Sequence, residues 1–144
     1  MLTGQLALVV AAAFAGVAIY VALCEHPARL ALDDRAMLAQ WKPSYRRGAV
    51  MQASLSLIGT VLGVAAWWQA GRWLWLAGSL SLILPWPFTI FVIKSTNDAL
   101  LATDLASAGP STRALIEKWG HLHLVRTALG TLAAILFFLA SSFR

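Results

Sequence analysis

Trp119-Gly-His-Leu-His-Leu-Val-Arg126-Thr127 opens the last apolar run of the chain, which continues through Gly130 to Ala140. At roughly 100° per residue in a helix, Trp119, His123, Arg126 and Gly130 fall along one stripe, and His121 points to nearly the opposite side. Arg126 would stand about 10 Å beyond Trp119 along the axis, inside the hydrocarbon of a bilayer. Ionisable groups at that depth are costly and face a bundle interior or a wet cavity. The stretch therefore decides two things together: a membrane-spanning helix, and a polar face on it that looks inward.

The whole chain agrees. Of its 144 residues 60% are hydrophobic and 12% charged, against about 25% charged in a soluble domain. Mean hydropathy is +0.73. One transmembrane domain over residues 1–144 is expected. The net charge of +5 reads as loop charge that sets topology, not as a nucleic-acid surface. Cys24 is the single cysteine, so no intrachain disulfide or Cys-rich zinc site can form. The N-terminus lacks a basic region and Leu23 is too large for a lipoprotein cleavage site, so the first apolar run is expected to be retained. The C-terminal Ser-Ser-Phe-Arg144 carries no lipid-anchor motif.

Four spans are expected, at about 2–24, 48–69, 74–95 and 119–140. Ala11-Ala12-Ala13, Ala15 and Gly16 give the first span a small-residue surface for close packing. Pro27, in Glu25-His26-Pro27-Ala28-Arg29, is expected to kink or restart the chain. Residues 28–41 read as an interfacial amphipathic helix in the first loop, with Leu30, Met37, Leu38 and Trp41 on one side and Asp33, Asp34 and Arg35 in water. Lys42-Pro43-Ser44 should end it, with Ser44 capping the next helix. Trp67, Trp68, Trp73 and Trp75 flank a hairpin at Gly71-Arg72 as an interfacial belt. Pro85-Trp86-Pro87 should bend the third span, below which Trp86, Ile93 and Asn97 share a face. Gly109-Pro110 breaks the chain, and Ser111 can cap the last helix. The fold class is all-α, an integral membrane four-helix bundle.

Eight basic residues (Arg29, Arg35, Lys42, Arg46, Arg47, Lys94, Arg113 and Lys118) and all six acids lie in or beside the first and third loops; Arg72 and Arg144 lie on the other face. By the positive-inside rule both longer loops are cytoplasmic and both termini outside, across an inner (plasma) membrane. An up-down-up-down bundle then brings Glu25, His26, Arg29, Asn97, Trp119, His123 and Arg126 to one end.

Each candidate has a chemical and a structural reading. His123 is a general base, a metal ligand, or a histidine bonded to the next helix. Arg126 holds an anionic oxygen or pairs with Glu25 to lock the bundle. Asn97 donates to a substrate oxygen or satisfies loosened carbonyls. Glu25 and His26 serve a pocket or cap an interface; Tyr20 reaches a pocket or sits at the interface. A metal would need two or three of His26, His123, Glu25 and His121, and no compact metal-binding spacing is present. No Walker motif, dinucleotide fingerprint or serine elbow occurs.

Pro87-Phe-Thr89 leading to Thr96-Asn97-x-x-Leu100, followed by Trp119-x-x-x-His123-x-x-Arg126-Thr127, resembles the anthrone oxygenase-like family of small membrane proteins. The resemblance extends over essentially the whole chain, and Glu25-His26-Pro27-Ala28-Arg29 looks like a variant found among its bacterial members. It implies oxidation of an anthrone to an anthraquinone by molecular oxygen, without a metal or other cofactor, as in fungal polyketide pathways. Carried over, the pattern points to Asn97, Trp119, His123 and Arg126. The expectation is a cofactor-independent oxygenase for a hydrophobic aromatic or quinol-like substrate. His123, Arg126, Asn97 and Glu25 would be catalytic, with Trp119, His26, Tyr20 and Trp86 around the substrate. The alternative is a non-catalytic module that binds a lipid, a quinone or a partner protein, with the small residues of the first span forming a homo-oligomer face.

Overall fold

The computed structural model describes Met1–Ser142, and these residues form helices and turns without a strand. Arg144, counted above on the far face, lies outside the described residues. Four helices are long and apolar enough to cross a membrane: α1 (Leu2–Leu30), α2 (Asp34–Ala70), α3 (Trp73–Ala102) and α4 (Pro110–Ser142). α1 packs against α2 and α4, and α3 against the same two, with little contact across the diagonal. The protein is an all-α membrane four-helix bundle. One end, where α1 and α3 finish and α2 and α4 begin, is the polar end; the other is the indole end, around Gly71-Arg72.

Local chemistry sets the boundaries. Asp33 caps α2, its Oδ1 accepting from the Ala36 N–H at 2.9 Å. Gly71, at φ 68°, closes α2 in the left-handed conformation and donates its N–H to the Trp67 carbonyl. α4 starts at Pro110, as proline favours a first turn. There Thr112, not Ser111, makes the terminal bond, its Oγ1 accepting from the Gly109 N–H at 3.2 Å.

Three expectations need correction. The amphipathic stretch 28–41 is not a separate interfacial helix. Its first part ends α1, three residues (31–33) turn the chain, and its second part is the opening of α2, which runs unbroken through Pro43. An interior proline costs about 3 kcal/mol, but Met37, Leu38 and Trp41 are all fully buried just before it, at roughly 1.5–3 kcal/mol each. Packing outweighs the lost backbone bond. Trp75 is not in the indole belt: it is 3% exposed against Phe137, whereas Trp68 is 82% exposed. Trp86, 40% exposed, does not share a face with Ile93 and Asn97, each 2% exposed. A wide turn at Thr89–Ile93, with Lys94 N–H bonded five residues back to Thr89, rotates the end of α3 relative to its proline-containing middle.

The outer cations do more than mark a side. Lys42 Nζ donates to the carbonyls of Leu101 (3.0 Å) and Thr103 (2.5 Å), closing α3. Arg113 donates to the carbonyls of Leu30 and Leu32 and pairs with Asp34 at 2.6 Å, closing α1. Arg72 donates to the Ala140 carbonyl at 2.8 Å near the end of α4. Cations at helix C-termini satisfy carbonyls that have no intrahelical donor.

Candidate functional site

Near its C-terminal end α1 widens at Val21–Glu25, where the His26 N–H bonds back five residues to Val21. This wide turn immediately precedes Pro27, which has no N–H to give. Below it the polar end is tied by one knot. Arg29 is only 2% exposed. Its Nη2 donates to Glu25 Oε1 at 2.5 Å and to Ser44 Oγ at 3.3 Å, and its Nε donates to Gln40. Gln40 Nε2 (3.1 Å) and the Ser44 hydroxyl also donate to Glu25 Oε1. The Arg29 guanidinium lies over the Trp119 ring, 5.6 Å from its centroid. Glu25 is thus held by Arg29 and not by Arg126, which corrects the expected Glu25–Arg126 lock; Arg126 Nη2 donates instead to Gln52 Oε1 at 2.8 Å.

Trp119 is the hub of the aromatic layer. His123 stacks on it with centroids 5.1 Å apart and planes at 18°, while His26 (5.8 Å) and Trp41 (5.9 Å, edge-on) meet it from other sides. Gly120 makes room for the His26 ring, which a Cβ at that position would strike. His123 is 4% exposed. Its Nε2 lies 3.2 Å from the Ala18 carbonyl of α1, and since a carbonyl only accepts, Nε2 carries the proton and Nδ1 is the basic nitrogen. Nδ1 has no protein partner among the described residues and is not sealed off.

A cavity of about 420 Å³ lies between α1, α2 and α4. Tyr20, Glu25, Tyr45, Gln52, Trp119, His123 and Arg126 line it, with Arg47. Of the expected residues, Tyr20, Glu25, Trp119, His123 and Arg126 are together here. The other three are elsewhere. His26 lines a second cavity of about 340 Å³ with Glu117 and His121, sharing Trp119 and His123 with the first. Among the described residues, no three His, Cys, Asp or Glu side chains converge as a ligand set. Trp86 lines a third, about 190 Å³, which meets the first along Tyr45, Ala49, Gln52 and Arg126. Asn97 is 2% exposed, its Oδ1 buried without a partner, and it lines none of these three cavities.

Sequence reasoning gave Tyr45, Gln52 and Gln40 no part in the site, brought Arg29 to the polar end without a partner, and read Ser44 as a helix cap, whereas it lies inside α2 and donates to Glu25. Gln52 carried a signal: it is a lone amide deep in an apolar span, 4% exposed in the fold. The others sit in what read as a water-facing loop.

Two arginines, Arg126 and the exposed Arg47, line the first cavity against one carboxylate that already has its own arginine. That balance favours an anion near Arg126, beside an imidazole with a free basic nitrogen. Fold and site together define a multi-pass helical membrane protein with a part-open, largely apolar cavity into which a few polar side chains reach. The chain belongs to the anthrone oxygenase family, whose sequence pattern, described as anthrone oxygenase, matches residues 41–136. That match takes in α2 from Trp41, all of α3 and most of α4; Tyr20, Glu25, His26 and Arg29 of α1 stand before it. Neither the curated proteins nor the solved structures give a match to this chain.

Proposed function

We propose that the protein is a cofactor-independent oxygenase that takes a flat, hydrophobic aromatic or quinol-like substrate into the cavity between α1, α2 and α4. One observation carries this reading: His123, with its free Nδ1, and Arg126, with N–H donors beyond the Gln52 bond, line the same largely apolar cavity. His123 Nδ1 takes a proton from an activated ring CH₂ or a phenol. Arg126, held by Gln52, stabilises the resulting enolate oxygen. For an anthrone, the carbanionic carbon gives its electrons to dioxygen and forms a C–O bond. The hydroperoxide then loses water and leaves a ketone, so CH₂ and O₂ become C=O and H₂O. Trp119 holds the base in place by stacking on it, and Tyr45, in place of Asn97, brings a phenol to the cavity.

The test is anthrone oxidation by the protein in lipid nanodiscs, followed by oxygen uptake and anthraquinone absorbance. His123→Ala and Arg126→Ala should each lower kcat/KM about 100-fold or more while the helical melt is retained. Unchanged turnover in both variants removes the reading.

We further infer that the polar end faces the cytoplasm of a plasma membrane, with both termini outside, from the eight-to-two division of basic residues. Asp104→Cys in a Cys24→Ser background should be shielded from an impermeant thiol reagent in intact cells; ready labelling would reverse the orientation.

A further inference from the structure

The chain has ten glycines. Gly71 turns the chain at a positive φ, and Gly109 lies in the loop before α4, where glycine costs no helix stability. Six others lie inside helices where an added Cβ would strike a side chain: Gly4 on Trp75, Gly59 on Leu82, Gly63 and Gly78 on Phe137, Gly120 on His26, and Gly130 on Phe14. Gly16 of α1 and Gly48 of α2 differ. A Cβ at either would meet nothing within 4 Å. Both stand inside helices, where glycine is less stable than alanine, so neither local structure nor packing accounts for them. Both line the 420 Å³ cavity, one from each of two neighbouring helices.

Their surroundings point outward. Gly16 is exposed, and beside it Tyr20 (59% exposed) and Met51 (45% exposed) line the cavity while facing away from the bundle. Behind them stands His123, 4% exposed, whose hydrogen bond among the described residues runs from Nε2 to the Ala18 carbonyl and leaves Nδ1 free. An apolar solute dissolved in the bilayer can reach this gap without crossing water or the knotted polar end.

We propose that Gly16 and Gly48 frame a lateral mouth between α1 and α2 through which the cavity takes a flat polycyclic aromatic directly from the hydrocarbon, and that their missing side chains set the width admitted. The inference rests on the proposed reading only for the class of ligand. A Cβ at either position meets no described atom within 4 Å, so an added side chain starts in open space at the mouth and narrows it.

Anthraquinone in lipid nanodiscs tests this, because on near-ultraviolet illumination it abstracts hydrogen and couples to adjacent C–H groups, which peptide mass spectrometry can map. The native protein should give adducts at Val17 or Val21, and Gly16→Leu/Gly48→Leu should reduce them at least tenfold. Adducts on the outward-facing Phe91 (83% exposed) should be unchanged. Unaltered cavity adducts in the double variant overturn the mouth, as does an absence of cavity adducts in the native protein. A lower Tm for the double variant also overturns it, since both side chains must then meet packed atoms. Anthrone turnover is followed separately: mouth-dependent labelling without oxidation removes the oxygenase reading and leaves the mouth in place.

Discussion

The same four helices build two unlike halves. Toward the indole end the interior is dry and small-grained: Ala7, Ala11, Phe14, Ala66, Leu82, Ala133 and Phe137 are wholly buried, and glycines receive the aromatic rings. Its few polar groups are serines that bond to backbone, such as Ser56 to the Leu82 carbonyl at 2.5 Å and Ser81 to the Leu129 carbonyl at 2.8 Å. Toward the polar end, Met37, Leu38, Trp41 and Trp119 form a second core, Arg29 is buried over the Trp119 ring, and unpartnered polar atoms remain on His26, Arg29, Asn97 and Arg126. Between helices in lipid there is little hydrophobic drive, so close packing has to hold the first half. The second half accepts imperfect packing and open volume around charge. Unsatisfied groups and cavities lower stability, and they are also what a binding site consists of.

Variants can break this contrast. Arg29→Ala should have the largest effect on stability, about 3 kcal/mol, because it leaves the half-buried Glu25 carboxylate with hydrogen bonds from Gln40 and Ser44 but without its cation. Thermal unfolding in detergent measures it. Glu25→Gln/Arg29→Met should recover most of the loss, since an apolar replacement of a buried pair is often neutral. A double variant as unstable as Arg29→Ala would mean that the knot is a net source of stability. Gly63→Val should cost about 2 kcal/mol by driving Phe137 from its seat. If it costs nothing, the indole half is not packed as described. Gln52→Ala should cost only about 1 kcal/mol, the size of one hydrogen bond, because Arg126 keeps its place on α4. Its effect should appear in kcat for anthrone oxidation, with Gln52→Glu restoring the partner but weakening the positive field.

The membrane class, the helix count and the stripe of Trp119, His123 and Arg126 were legible because they depend on local pattern: apolar runs of spanning length and a period near 3.6. The helix through Pro43 was not, because proline and charge mark a break locally while the burial of Met37, Leu38 and Trp41 that overrides it is contributed by other helices. Trp86 was misplaced for a similar reason. A wide turn adds a residue to the register, and no residue type announces it.

What the sequence by itself determined was that four helices form, that they are apolar enough for a bilayer, and that His123 and Arg126 lie on one face. Backbone hydrogen bonding and side-chain periodicity are properties of the chain segment, so they can be read there. Only the tertiary structure decided the partners. Glu25 went to Arg29 and Arg126 to Gln52, Asn97 was left outside the cavity, and Tyr45 was brought in. Those outcomes depend on which helix faces are opposed and at what rotation, and that is settled by the fit of rings against glycines across all four helices at once.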